Sequence, residues 1–267
     1  MLFAVILLAC VSLVAARGAP AGDETSLPTD ANLITAIDVS GSIGPQAEAL
    51  QFDGIVEAIV HPDFLQTVAE GYHGRVGFAA FTWSSQGDFT MPVPWSLIES
   101  EATASVIATR LRDALGKPRF GYSTPAPGSA PRAWRGSLGT DLSAAIEHAA
   151  SLLAGAPFAT GREVINVLAN GTDNVAQGPD AARALALSRG IVINGLGLGD
   201  DAEVVAYLRA HVQGGSGSFV VEARRPADLA SAMRRKFLMD LVGPVADPVR
   251  RHLAQARGRT EQSHAHP

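Results

Sequence analysis

Residues 32–48, which read NLITAIDVSGSIGPQAE, decide the fold. The first eight positions are mostly apolar, so residues 32–39 predict a buried strand. A turn rich in Ser and Gly follows. Pro45 suits the first turn of a helix, and we expect that helix over residues 45–59 with Gly44 as its N-cap. A buried strand that leads through a short turn into a helix is the opening unit of an α/β fold.

The same alternation of apolar strands and helically spaced segments continues along the chain. Strands are predicted at residues 75–83, 88–95, 163–168, 191–198 and 218–222, and helices at residues 100–115, 140–153, 179–188, 202–212 and 226–241. Helical crossovers bury parallel strands on both faces, so we expect a doubly wound, mostly parallel sheet with helices on both faces. The first strand should lie centrally. Pro92 and Pro94 place residues 88–95 at an edge, as the one antiparallel strand.

The turn Asp38-Val39-Ser40-Gly41-Ser42 carries the sharpest chemical signal. It lies at the carboxyl end of the first predicted strand, where ligands bind in open α/β sheets. One carboxylate and two hydroxyls on a single turn suit a hard cation such as Mg²⁺, Mn²⁺ or Ca²⁺. The alternative is structural, because Ser and Asp also cap helices and the glycines also suit a turn.

This turn resembles the first motif of the metal-ion-dependent adhesion site of von Willebrand factor type A domains. The resemblance covers about residues 32–241 in element order. It implies that Thr140, in the stretch Gly139-Thr140-Asp141-Leu142, is the second element of the site. The third element is an Asp at the end of the next central strand, and here that position is Asn170. Thr140 has an alternative role as the N-cap of the helix that follows.

The Asn170 departure weakens the expected attraction for a dication, because an amide offers a carbonyl oxygen without charge. Asp141 and Asp173 lie nearby in sequence and are candidates to compensate for the missing charge, directly or through water.

The chain is especially similar to an exported bacterial branch catalogued as a domain of unknown function, family 1194. The pattern Gly-Arg-Val-Gly-Phe near residues 74–78 and the Gly-Leu-Gly pattern near residues 195–197 carry that likeness. No activity carries over from that branch.

The resemblance implies a module that binds a protein partner and has no catalytic residues. Asp38, Ser40, Ser42, Thr140 and Asn170 would hold the cation, for which Mg²⁺ is the first choice, and a partner's acidic side chain would complete its shell. Two rivals stay open. One is an interaction or structural module without metal, and the other is a metal-dependent hydrolase in which the cation activates water. Residues 117–136, rich in Pro, Gly and Arg, precede Thr140 and are expected to lie beside the site and to influence partner choice.

The start of the chain predicts export. Residues 1–16 are almost wholly apolar, too short to span a bilayer, and resemble a secretory signal, so we expect a periplasmic or secreted protein. Cys10 is the only cysteine and would leave with the signal, unless it is lipidated. Residues 17–30 are expected to form a flexible lead-in, 31–242 the domain, and 243–267 a polar, disordered tail without a transmembrane segment.

We expect the late basic residues, Lys236 among them, to be solvated, and the formal net charge of −5 argues against nucleic-acid binding.

Overall fold

The computed structural model describes residues 26–85, 88–115, 139–175 and 178–242. Its described strands are β1 (Leu27–Thr29), β2 (Ala31–Asp38), β3 (Val76–Trp83), β4 (Phe89–Ile98), β5 (Phe158–Thr160), β6 (Glu163–Ala169), β7 (Val192–Leu198) and β8 (Val220–Ala223). Its described α-helices are α1 (Pro45–Val60), α2 (Pro62–Ala69), α3 (Glu101–Ala114), α4 (Leu142–Ala154), α5 (Asp180–Ser188), α6 (Ala202–Tyr207) and α7 (Leu229–Val242). The predicted signal, the loop at residues 117–136 and the tail lie outside the described residues.

Six strands form the central sheet in the order β4-β3-β2-β6-β7-β8. All neighbours are parallel except β3 and β4, which pair antiparallel at the edge. The predicted fold class, the central first strand and the antiparallel, proline-bearing edge strand are confirmed. β4 tolerates Pro92 and Pro94 because an edge strand need not donate every backbone N–H.

Helices cover both faces of this sheet. One core joins the strands to α1, α2, α3 and α7, and includes Phe52, Phe64, Ile107 and Phe237. The other joins the strands to α4, α5 and α6, and includes Leu142, Ile146, Ala182 and Val204. The central strands are therefore buried from both sides. The parallel pairing of β2 with β6 places their carboxyl ends next to each other. Within the described residues no helix has the length and apolar character needed to cross a membrane.

Three elements differ from the sequence-based expectations. Residues 27–29, assigned to the flexible lead-in, form β1, which pairs in parallel with β5 in a separate two-stranded sheet. The helix α2 was not predicted; Pro62 opens it, and the His61 side chain caps it by accepting a hydrogen bond from the Asp63 backbone N–H at 3.2 Å. The predicted helix at residues 202–212 changes at Leu208 into a π-helical turn that ends at Val212.

A buried polar network fixes α7 to β6 and β7. The expectation that Lys236 is solvated is wrong, because Lys236 and Asp240, one helical turn apart, are both fully buried. The Asp240 carboxylate accepts hydrogen bonds from the side-chain amides of Asn166 on β6 (2.8 Å) and Asn194 on β7 (2.7 Å). The Lys236 ammonium donates to the Asn166 side-chain oxygen and lies 3.4 Å from the Asp240 carboxylate.

The charge of this network is compensated inside the core. Burial lowers the pKa of Lys236 to about 8, which leaves the ammonium protonated at neutral pH and able to pair with Asp240. The Lys236 ammonium also lies 5.2 Å from the centre of the Phe219 ring, a cation–π contact. Removing one member of such a pair leaves an uncompensated charge in a region of low polarity.

We therefore expect Lys236→Met to lower the free energy of unfolding by about 3–5 kcal/mol, because the buried Asp240 carboxylate would lose its direct ion pair with the Lys236 ammonium. Urea denaturation at pH 7 measures this loss. The double variant Lys236→Met/Asp240→Asn removes both charges and should recover part of it. The exposed neighbour Arg235 provides a matched control, since Arg235→Met should change stability by less than about 0.5 kcal/mol. Equal losses in the single and double variants would contradict this account.

Candidate functional site

The predicted site lies at the carboxyl edge of the central sheet, where β2 and β6 end side by side. Asp38 is the last residue of β2, and Asn170 directly follows β6. The two strands pair in parallel from Asn32↔Glu163 to Ala36↔Val167, so their ends emerge at the same edge. This is the edge of an open α/β sheet at which ligands bind.

The Asp38 carboxylate is fully buried and joins the two strand ends. Its Oδ1 accepts a hydrogen bond from the Ser40 backbone N–H at 2.8 Å, and its Oδ2 accepts one from the Asn170 backbone N–H at 3.3 Å. The Asp38 carbonyl oxygen accepts a hydrogen bond from the Gln51 side-chain amide at 2.9 Å, which ties the turn to α1. Burial raises the pKa of Asp38 to about 6, and the hydrogen bonds from Ser40 and Asn170 only partly offset that rise.

Ser42 contacts the Asn170 side chain, and Ser40 contacts Ser42. Ser42 Oγ donates a hydrogen bond to Asn170 Oδ1 at 2.8 Å, and Asn170 Nδ2 donates to the Ser42 carbonyl oxygen at 3.3 Å. The hydroxyls of Ser40 and Ser42 lie 3.2 Å apart. Four of the five residues predicted for the site, Asp38, Ser40, Ser42 and Asn170, are therefore connected by direct hydrogen bonds.

Thr140 lies on the loop before α4 and contacts the loop that follows β6. Its backbone N–H donates to Asn174 Oδ1 at 2.8 Å, and the Asn174 backbone N–H donates to the Thr140 carbonyl oxygen at 3.1 Å. A Cβ built on Gly171 would lie 3.8 Å from the Thr140 hydroxyl, so this hydroxyl faces the segment that follows Asn170. The Asn174 contacts thus hold the Thr140 loop against the loop after β6.

Both candidate compensating carboxylates have backbone partners. Asp141 is the N-cap of α4, because its Oδ1 accepts a hydrogen bond from the Ala144 N–H at 2.9 Å; the alternative of Thr140 as the cap is therefore wrong. Asp173 Oδ2 accepts a hydrogen bond from the Leu142 N–H at 2.8 Å. Among the described residues, no three Asp, Glu, His or Cys side chains group as a metal site would require. A compensating role for Asp141 or Asp173 stays a prediction.

The donor set fits a hard cation. The five predicted ligands would supply one carboxylate, three hydroxyls and an amide oxygen, which are oxygen types that Mg²⁺ and Ca²⁺ bind. These residues are Asp38, Ser40, Ser42, Thr140 and Asn170. The Asp38 carboxylate is buried, and backbone N–H groups and the Ser40 side chain are its hydrogen-bond partners. A cation beside it would supply charge compensation that these neutral groups do not.

Two residues that shape the site were not predicted from the sequence. Gln51 is fully buried on α1 and holds the Asp38 carbonyl oxygen. Asn174 links the Thr140 loop to the loop after β6. A glutamine among the apolar positions of a predicted helix was the available signal for Gln51, while nothing in the run Asn170-Gly171-Thr172-Asp173-Asn174 distinguished the second asparagine.

Comparison with known proteins identifies the family and the fold. A family model described as "Protein of unknown function (DUF1194)" matches residues 28–245. No curated protein matches the chain. Among solved structures, the vWF domain of the type V pili tip protein Mfa5 from Porphyromonas gingivalis is 13% identical with a TM-score of 0.50, and the match covers 79% of this chain and 94% of that one.

Two longer proteins contain a similar part. Proximal thread matrix protein 1 from the mussel byssus is 13% identical with a TM-score of 0.51, over 81% of this chain and 49% of that chain. The pilus adhesin SpaC from Lactobacillus rhamnosus GG is 11% identical with a TM-score of 0.52, over 82% of this chain and 31% of that chain. The chain thus spans half or less of the length of these two proteins. At such identities the likeness is one of fold.

The Asn174 contact generates a prediction about the Thr140 loop. Asn174→Ala leaves the partly buried Thr140 N–H without its acceptor, so we expect a loss of about 0.5–1.5 kcal/mol in the free energy of unfolding. Thermal or urea unfolding measures the loss. Thr172→Ala, in the same loop, is the matched control and should cost less. A loss as large for Thr172→Ala as for Asn174→Ala would argue against the link.

Proposed function

The chain belongs to the DUF1194 family and has the fold of von Willebrand factor type A domains, and from that premise we propose that it is a binding module that holds a protein partner through a divalent cation. The observation that carries this proposal is the convergence of the Asp38 carboxylate with the hydroxyls of Ser40 and Ser42 and the Asn170 amide at one sheet edge. These oxygens come from two segments that are 128 residues or more apart in sequence, and they meet only in the folded chain.

The roles of the residues follow from their chemistry. Asp38 is the charged ligand, direct or through water, and Ser40, Ser42 and Thr140 supply hydroxyl oxygens. Asn170 supplies a neutral oxygen, either to the cation or to the groups around it. Mg²⁺ is the first choice of ion, because it retains waters where a protein offers few carboxylates. An acidic side chain of a partner would complete the shell of a cation held by these residues.

We assign no turnover to this site. Activation of water for hydrolysis needs a general base within hydrogen-bond reach of that water. The Asp38 carboxylate is occupied by the N–H groups of Ser40 and Asn170, and Asp141 caps a helix. Asp173 accepts hydrogen bonds from the Leu142 and Val175 backbone N–H groups. The other members of the proposed donor set carry hydroxyls and an amide, which do not accept a proton at neutral pH. Binding is the function that this donor set supports.

We also propose that the protein works outside the cytoplasm. The apolar residues 1–16 would direct its export, residues 31–242 would form the binding domain and residues 243–267 a polar tail. Two of the proteins that share the fold are a pilus adhesin and a pilus tip protein, which supports a role in attachment at or beyond the cell envelope. The partner and the compartment, periplasmic or secreted, are open to direct test.

Mg²⁺ should stabilise the protein, because a ligand that binds only the folded state shifts the unfolding equilibrium. At a concentration of 100 times the dissociation constant the gain is about 2.7 kcal/mol. We expect this gain in urea unfolding with Mg²⁺ against EDTA, and we expect Asp38→Ala to abolish it. Asp200, an exposed carboxylate that follows β7 at the same sheet edge, is the matched control, and Asp200→Ala should retain the gain.

The same variants separate metal-dependent from metal-free binding. Capture of a partner from the cell envelope should require Mg²⁺ and fail with EDTA and with Asp38→Ala. Capture that EDTA and Asp38→Ala leave intact would instead identify a metal-free module. One observation favours this metal-free module. The Ser42 hydroxyl already donates a hydrogen bond to the Asn170 side-chain oxygen, so these two groups are paired with each other without a cation.

Asn170→Asp tests the departure from the adhesion-site pattern. A second carboxylate beside Asp38 would add attraction for Mg²⁺, and we expect binding to tighten by at least about tenfold, which corresponds to 1.4 kcal/mol. Without cation the same variant should be less stable than the wild type, since the new carboxylate would lie beside the buried Asp38 carboxylate and repel it. Calorimetric titration with Mg²⁺ measures the affinity. Gln66→Glu adds the same charge at an exposed position on α2 and should leave the affinity nearly unchanged.

A further inference from the structure

An apolar cavity of about 180 Å³ opens beside the candidate metal site. It lies between the start of α1, the ends of β7 and β8, and the start of α7. Its apolar walls come from Ile43, Ala47, Leu50, Leu198, Ala223 and Leu229. An apolar cavity at the protein surface is a place where a partner's apolar side chain gains free energy by leaving water.

The cavity and the metal site are continuous. Asn170, whose side chain is hydrogen-bonded to Ser42, also lines the cavity. Ile43, the next residue after the Asp38–Ser42 turn, forms another part of its wall. A segment that places a carboxylate at the metal site therefore brings its neighbouring side chains to the mouth of this cavity.

Two arginines, each paired with a carboxylate, lie at the rim of the cavity. The side chains of Arg224 and Arg225 are 68% and 77% exposed, whereas those of their carboxylate partners Glu222 and Asp228 are only 23% and 34% exposed. Arg224 donates to Glu222 through Nε at 2.9 Å, and Arg225 donates to Asp228 through Nε and Nη2. A guanidinium has five N–H donors, so both arginines retain donors for an incoming acidic segment.

We propose that this cavity is the second half of the partner site and takes one apolar side chain, of the size of Leu, Met or Phe, from an acidic segment whose carboxylate completes the cation shell. The size follows from the volume, because a cavity of about 150 Å³ lined by apolar side chains accommodates benzene. The acidic character follows from the cation and from the two arginines at the rim. This inference rests on the proposed function for its carboxylate, but the cavity itself is testable without metal.

The first arm of the test uses toluene as the probe of the cavity in the full chain with methyl labels on Ile and Leu. Shifts in methyl resonances during the titration should be confined to Ile43, Leu50, Leu198 and Leu229. Ala47 is exposed at the cavity, so Ala47→Phe should cover it and abolish these shifts. Gln46→Phe adds the same ring to an exposed position outside the cavity and should leave the shifts intact.

The second arm measures binding of capped peptides in Mg²⁺ by calorimetry. Acetyl-Gly-Leu-Glu-Gly-amide and acetyl-Gly-Glu-Leu-Gly-amide are each compared with the peptide in which Leu is replaced by Ala. We expect at least one of the two Leu peptides to bind about tenfold more tightly than its Ala counterpart, the effect of burying a leucine side chain. Ala47→Phe should reduce this ratio to about one, while Gln46→Phe and the affinity for Mg²⁺ should not change.

The outcomes separate this inference from the proposed function. Mg²⁺-dependent binding of the Leu and Ala peptides with equal affinity would overturn the cavity and leave the metal-dependent module standing. Peptide binding that does not respond to Mg²⁺ or EDTA would overturn the proposed function and the carboxylate half of the inference. The absence of toluene shifts would also overturn the inference. Shifts that appear only after removal of residues 243–267, or that change with protein concentration, would assign the cavity to the chain's own tail or to a second copy.

Discussion

One buried carboxylate holds the functional edge of this protein together. Asp38 ends the central strand and binds the backbone N–H groups of Ser40 and Asn170, so it fixes both its own turn and the loop after β6. Burial removes the Asp38 carboxylate from water and raises its pKa, and the hydrogen bonds from neutral partners offset that rise only in part. The fold organises the site, but the Asp38 carboxylate has only neutral hydrogen-bond partners. A cation bound beside it would therefore stabilise the charged form of this carboxylate.

Most of the fold could be predicted from the sequence, because the apolar patterns of its longer strands and helices are periodic and local. Long apolar strands such as β2 and helices with well-placed first residues, such as Pro45, follow directly from burial and capping. The elements that were missed are short or depend on distant partners. β1 has three residues and exists through its pairing with β5, about 130 positions away. The π turn after Tyr207 replaces the end of a helix that the spacing alone would have continued.

The site was predictable in its residue types and less so in its connections. The Asp-x-Ser-x-Ser turn is recognisable in the sequence alone, and the positions of Thr140 and Asn170 were predicted from the family resemblance. The reciprocal pairing of Ser42 with Asn170, and the part of Asn174 in holding the Thr140 loop, depend on loop conformation that no sequence pattern specifies. The same limit applies to Lys236, since only the packing of α7 against two asparagines makes a buried ammonium tolerable.

The buried network on α7 has a mechanical consequence. Lys236 and Asp240 engage asparagines of β6 and β7 that face each other in the sheet, as Asn166↔Asn194. Sliding α7 along its axis by one turn, about 5.4 Å, would separate every charged group in the network from its partner. A tensile load applied to the chain beyond Val242 would therefore pass into β6 and β7, and the helix would resist slipping until these hydrogen bonds and the Lys236–Asp240 ion pair break.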